Sequence, residues 1–271
     1  MTTVAVIPAR YASTRFPGKP LAKQTGKYLV QHVFESVRAC RRIDRVIVAT
    51  DDNRIFKAVA SFGGEAQMTS DEHRTGTDRI GEVAERLNLA DNDLVLNVQG
   101  DEPEIGSSAL DRLIDLMEIA ESSCRIGTLA TRFPDDGPRE GPGSPADPNC
   151  VKVVVDADGR ALYFSRSLVP HPRGCAGKVE QPSQWLLHLG VYAFRADTLR
   201  SIVAGKLPQS TLERTESLEQ LRWMENGLSI AVAVVEHRVI GVDSPEDYAA
   251  FVELCRGGVV GNEAKVGSQD A

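Results

Sequence analysis

No apolar run in this 271-residue chain approaches the roughly 20 residues that a membrane helix needs. The longest apolar stretches, residues 3–8 and 230–235, have the length of strands. Cysteine is sparse and scattered: Cys40, Cys124, Cys150, Cys175 and Cys255 form no CxxC pair, so neither a zinc knuckle nor a disulfide framework is indicated. Positive charge is in deficit, with 31 Lys and Arg against 38 Asp and Glu, a net charge of −7. A sequence pI near 5.4 argues against a general nucleic-acid binder, which needs a broad basic face. No GxGxxG follows the first strand-like run, and neither Gly18-Lys19-Pro20 nor Gly26-Lys27-Tyr28 completes a P-loop. Those two absences demote the dehydrogenase and the P-loop ATPase. No H-E-x-x-H or other metal-histidine pattern occurs, and there is no internal repeat. The first residues carry neither a basic region nor a signal core, so the expectation is a reducing, cytoplasmic setting.

What is there is ordinary globular material: 42% hydrophobic, 25% charged and 6% aromatic residues, enough for a sizeable core. Apolar β-branched runs alternate with amphipathic stretches through the first half. Strands are predicted at 3–7, 45–49, 94–98 and 126–132, and helices at 28–40, from Asp51 or Asp52 to Gly63, from Thr75 or Thr77 to Leu87, and at 107–120. This order predicts an α/β fold, a mostly parallel sheet with helices on both faces. Residues 134–148, with five prolines and three glycines, read as a surface loop. Strands at 151–155 and 160–164 flank Asp156-Ala157-Asp158-Gly159, a hairpin signal, and another strand is predicted at 186–194. A helix follows at 212–224, a strand at 229–235, and a helix at 245–254 with Ser244 as its N-cap. The expected organisation is one domain over residues 1–256, with a smaller antiparallel lobe inserted at about 150–195 and a flexible tail at 257–271.

Five places carry candidate chemistry. The loop after the first strand holds Arg10, Arg15 and Lys19 with no acid between them, an anion site in an otherwise acidic chain or a solvated basic loop. Ser13 and its neighbours add short donors, and Gly18 permits close approach. Past the strand 94–98, Gln99, Gly100, Asp101 and Glu102 stand at a carboxyl end. There Asp101 either holds magnesium on a phosphate or caps the next turn, and Glu102 is open to a local ion pair. Asp243, just before a helix start, is structural when taken alone and a second metal ligand when paired with Asp101. His73 to Arg79 contains Thr75, Gly76 and Thr77, either a base-reading turn or simply a helix start. Arg166, His188, Tyr192, Glu219 and Gln220 are polar groups among apolar ones. By default His188 is a core histidine, Glu219 and Gln220 are a solvated face, and Asp247 sits on the face of the last helix.

The ordered run VIPARYASTRFPGKPL, VATDD, HRTGTDR, LVLNVQGDEP, DPNCVKVVVD, ALYFSR, HLGVYAF, LEQLRWMENG and GVDSPEDY resembles the 3-deoxy-D-manno-octulosonate (Kdo) cytidylyltransferase family from about Thr3 to Leu254. The resemblance implies a homodimeric nucleotidyltransferase that makes CMP-Kdo and pyrophosphate from CTP and Kdo, with Mg2+, for lipopolysaccharide synthesis. It implies catalytic Lys19, Asp101 and Asp243, with Asp101 and Asp243 as the metal ligands. CTP binding would fall to Arg10, Ser13, Arg15, Lys19, Thr75, Gly76, Thr77 and Arg79. The sugar acid would meet Gln99, Arg166, His188, Tyr192, Glu219 and Gln220. The segment 134–148, Tyr28, residues 169–173 and the tail after Cys255 depart from the family pattern. Rival readings are a cytidylyltransferase for another acidic sugar, such as sialic acid or amino-Kdo, a nucleotide-sugar glycosyltransferase, and a nucleotide-binding regulator without turnover.

Overall fold

The computed structural model describes residues 1–12, 15–120, 124–236 and 241–257. Ser13, expected at the triphosphate, and the tail beyond Gly257 lie outside the described residues. Three strands in parallel open the fold: β1 (Thr3–Ala9) lies between β2 (Arg45–Thr50) and β4 (Leu94–Asn97), and β3 (Glu65–Met68) pairs with β2. The sheet continues past β4 through β8 (Leu186–Arg195), β5 (Ile126–Arg132) and β9 (Ile230–Val235), giving the order β3-β2-β1-β4-β8-β5-β9. β8 is antiparallel to both its neighbours, whereas β5 and β9 are parallel to each other. β1, β2, β4 and β5 are apolar along nearly their whole length because both faces of the sheet are covered. The hairpin of β6 (Lys152–Val155) and β7 (Ala161–Ser165) joins the same sheet, where β6 pairs with Leu186 and Leu187 at the start of β8.

One core layer packs α1 (Leu29–Ala39), α2 (Asn53–Ser61) and α4 (Ser107–Ile119) under the sheet through Val33, Val37, Ile55, Leu110 and Leu113. The other face is covered by α3 (Gly76–Arg86), α5 (Ala196–Ser201) and the pair α6 (Thr211–Glu216) and α7 (Glu219–Glu225), through Ile80, Leu199, Leu221 and Trp223. Gly81 is required there, since a Cβ would lie 2.5 Å from Val203. The last helix, α8 (Pro245–Arg256), packs Tyr248, Phe251 and Val252 against Leu29 and Phe16.

Helix starts follow the sequence closely. Asp52, Thr75 and Ser244 are the N-caps of α2, α3 and α8, each accepting a backbone N–H. Asp247 is more than a residue of the helix face: its carboxylate accepts from the Asp243 and Ser244 backbone N–H groups in a capping box. The helix expected over 212–224 is two helices, because Ser217 takes a left-handed conformation with φ of 52°. After the break, the first residues of α7, Glu219 and Gln220, line a cavity, and Glu219 accepts from Thr77 of α3.

Candidate functional site

The parallel arrangement of β1 and β4 puts their carboxyl ends side by side, with Val6 level with Asn97. From β1 the chain enters the basic loop, and from β4 it enters Gln99-Gly100-Asp101. The two exits are in close contact: a Cβ on Gly100 would stand 2.8 Å from the Pro8 carbonyl oxygen. The need for glycine there comes from packing between the strand exits.

Lys19, Asp101 and Asp243, far apart in sequence, meet at this end. Lys19 Nζ donates to Asp101 Oδ2 at 2.6 Å, to the Val242 carbonyl at 2.8 Å and to Asp243 Oδ1 at 3.5 Å. The Val242 N–H donates to the Asp101 carbonyl at 2.8 Å, which ties the segment before α8 to the β4 exit. Arg15 reaches the same Asp243 oxygen at 3.1 Å from an exposed position. Arg10 turns instead to the His73 carbonyl, at 2.9 Å, and links the β1 exit to the turn before α3. Glu102 forms no local ion pair. Its Oε2 is buried without a partner, and desolvation together with the charges of Asp101 and Asp243 pushes its carboxyl up to about 8.

Beside these exits lies a cavity of about 240 Å3 lined by Gly76, Thr77, Asn97, Gln99, His188, Gly190, Tyr192, Leu218, Glu219, Gln220 and Trp223. Five of the six residues expected to meet the sugar acid are therefore brought together from β4, β8 and α7. A β-bulge shapes the wall: β5 passes from Thr128 opposite Tyr192 to Leu129 opposite Leu189, leaving Gly190 and Val191 as the extra residues. The buried Thr128 hydroxyl lies 2.7 Å from the Val191 carbonyl and 3.2 Å from that of Leu189, holding the bulge. Gln99 in turn donates to the Gly190 carbonyl at 3.3 Å. His188 stands against Thr128 Oγ1 at 3.1 Å and edge-on to Phe164, and desolvation alone pulls its imidazole down to about 3. It is a neutral group of the wall at any ordinary pH.

Several expected residues lie elsewhere. Arg79 is fully buried behind the turn, paired with Asp51 at 2.6 Å and with Thr69, so its guanidinium braces α3 against β2 rather than facing the cavity. Arg166 donates to the Glu216 carbonyl at 2.7 Å and the Pro148 carbonyl at 3.0 Å, knitting the hairpin to the end of α6. Thr75 is occupied as the cap of α3, while Gly76 and Thr77, implied for the cytosine pocket, share the cavity wall with the sugar-acid group. Asn97, Gly190, Leu218 and Trp223 line the cavity without having been singled out. The buried Asn97 and Trp223 carry the available signal, since each leaves a polar side-chain atom unpartnered beside that of Tyr192.

Residues 4–230 match the cytidylyltransferase family. A 3-deoxy-manno-octulosonate cytidylyltransferase of Thermodesulfovibrio yellowstonii is 47% identical over 253 residues, 91% of this chain and 95% of that protein. The chain belongs to the 3-deoxy-manno-octulosonate cytidylyltransferase family. A second member of that family, from Syntrophotalea carbinolica, is 47% identical over 261 residues, 95% of this chain and 100% of its own. The solved structure of CMP:2-keto-3-deoxy-manno-octonic acid synthetase complexed with CTP is similar at a TM-score of 0.84 and 39% identity, covering 95% of this chain and 100% of that one. The 4-diphosphocytidyl-2C-methyl-D-erythritol synthase of Anaerococcus prevotii, at 13% identity and a TM-score of 0.56, shares the fold alone. Among the described residues no helix is long and apolar enough to cross a membrane.

Proposed function

We propose that this protein transfers the cytidylyl group of CTP to the anomeric hydroxyl of Kdo, releasing pyrophosphate and supplying CMP-Kdo for lipopolysaccharide assembly. The observation that carries the reading is the meeting of Lys19, Asp101 and Asp243 at the β4 exit, next to the cavity lined by Gln99, His188, Tyr192, Glu219 and Gln220. Attack on a phosphoryl group of a polyanion by an anionic sugar asks for positioning and charge neutralisation more than for a covalent intermediate. The basic loop answers the triphosphate: Arg15 is free to swing from an exposed pair, and Lys19 is a point charge already fixed at the strand end. The polar side chains of the cavity, Gln99, Gln220 and the neutral His188 among them, are placed to meet sugar hydroxyls.

Two carboxylates presenting hard oxygens at one point suit a magnesium ion that completes its shell with water and phosphate oxygens. Asp101 and Asp243 would hold it, and there it would supply charge neutralisation at the phosphoryl oxygens and a lower pKa for the attacking hydroxyl. Their present engagement with Lys19 keeps both carboxylates turned to the same place. A homodimeric, cytoplasmic protein belongs to the same proposal, and five scattered cysteines with no CxxC pair suit a reducing compartment.

Pyrophosphate release from CTP and magnesium, with Kdo and sialic acid offered separately, tests the reading. Release with Kdo and not with sialic acid is expected. Release with sialic acid alone would move the specificity, and release with neither would overturn the proposed reaction.

A further inference from the structure

Among the described residues the cavity wall holds no lysine or arginine, yet it contains a carboxylate, Glu219, and by the reading above must admit an acidic sugar. An uncompensated anion there would repel that ligand. Compensation lies just behind the wall. Arg222 Nη2 donates to Glu219 Oε1 at 2.6 Å, one helical turn along α7. Thr77 Oγ1, from the first turn of α3, donates to the other oxygen, Oε2, at 2.7 Å. The carboxylate is therefore gripped at both ends, by residues 142 positions apart on the Thr77 side. Arg222 is itself held from behind by Glu213, whose Oε2 lies 3.7 Å from Nε, within ion-pair reach but too far for a hydrogen bond. Glu213 is buried and fixed as the N3 residue of the α6 capping box with Ser210. The result is a chain from α6 through α7 to α3 that ends on the cavity wall.

We propose that Arg222 is a positioning residue for the sugar acid: it orients the Glu219 carboxylate against Thr77 and offsets its charge. This rests on the proposed cytidylyl transfer to a sugar acid. The electrostatics agree. Desolvation and Asp78 push the Glu219 carboxyl up, while Thr77, Arg222 and Thr75 pull it down. From β8, Tyr192 faces it as a phenol held well above its ordinary range, and His188 of the same wall is neutral. Desolvation already holds the Glu219 carboxyl above its ordinary range; Arg222 is a cation that counters it, so its removal pushes the carboxyl higher still and Glu219 takes up a proton at higher pH. Protonation would change an acceptor into a donor and free the side chain to rotate.

The test compares wild type, Arg222→Met, Arg222→Lys and Glu219→Gln. In Arg222→Met the KM for the sugar acid should rise about tenfold at neutral pH, the size of one lost charge-assisted hydrogen bond. The KM for CTP should stay within twofold, on the order of assay scatter. The acid limb of kcat/KM for the sugar acid should move up by about one pH unit, and Arg222→Lys should restore most of it. In Glu219→Gln, adding Arg222→Met should shift no limb, because the titrating group is gone. A wild-type limb and KM in Arg222→Met would overturn the proposal. Equal losses in both KM values that do not vary with pH would overturn it too, by reducing Arg222 to a packing role. A 13C NMR titration of the Glu219 carboxyl in the free protein reads the same pair without turnover. An upward shift in Arg222→Met is expected whichever sugar acid the wild type accepts, so failure here and failure of the proposed reaction are separate results. If Arg222→Met does not fold, the Arg222→Lys titration decides: retention of the wild-type Glu219 titration is expected, and an upward shift as large as one pH unit would contradict charge offset.

Discussion

At the scale of single residues, polar groups in this site are defined less by their type than by what surrounds them. Lys19 and Lys152 are both largely buried lysines, but Lys19 faces two carboxylates while Lys152 donates to the Asp147 and Arg166 carbonyls. The first belongs to the proposed site and the second ties the 134–148 loop to the hairpin. His188 makes a direct prediction. Its imidazole is held at about 3 against an ordinary 6.5, so between those values the unfolded chain binds a proton that the folded chain refuses. Stability from this group is complete above about 6.5 and is lost as pH falls toward 3. Thermal unfolding of His188→Gln against wild type should therefore show a smaller loss of Tm in the variant as pH drops from 6.5 to 4. Parallel curves would contradict a neutral, desolvated His188.

The residue scale also shows what a sequence conceals. Asp101, Asp243 and Lys19 were legible as a group through the family motifs, although local pattern alone left Asp243 structural, and the structure brings their side chains together. Arg79 and Arg166 were not, because a long side chain is claimed by partners that the sequence places far away: Asp51 for one, Pro148 and Glu216 for the other. Once buried, a guanidinium must find such partners, and the family motif that contains it does not say which face it takes. Asn97 and Trp223 escaped notice for the opposite reason. They look like ordinary members of a strand and a helix, and only the unpartnered atoms they leave in the cavity wall mark them out.

At the scale of elements, caps and apolar runs fixed most boundaries, and the exceptions have local causes. β3 reads Glu-Ala-Gln-Met, too polar and short to announce an edge strand, and pairing with β2 alone makes it one. The break at Ser217 needs a left-handed residue that is not glycine, which no helical propensity forecasts. The bulge in β8 is equally silent, since its cause is the Thr128 hydroxyl on another strand. Thr128→Val should leave the Val191 carbonyl short of its donor and destabilise the protein by about 1–3 kcal/mol in urea unfolding. The KM for the sugar acid should rise with it, because Gly190 and Gln99 share that wall. Unchanged stability and KM together would mean that the bulge does not depend on Thr128.

At the scale of the whole molecule, topology assembles the site. The parallel β1 and β4 deliver the basic loop and Asp101 to one point. β8, inserted antiparallel between β4 and β5, brings His188, Gly190 and Tyr192 to the cavity, and α8 returns Asp243 across more than half the chain. Strand–helix alternation made the parallel half readable, but strand order beyond β4 depends on long-range pairing that local patterns do not encode. The central claim is that this convergence carries cytidylyl transfer. The most direct measurement is pyrophosphate release from CTP, magnesium and Kdo by wild type and Asp101→Ala side by side, with circular dichroism to confirm the fold. Sustained release by wild type and a loss of at least about 10³-fold in a folded Asp101→Ala is predicted. Near-wild-type release from the variant would contradict the account.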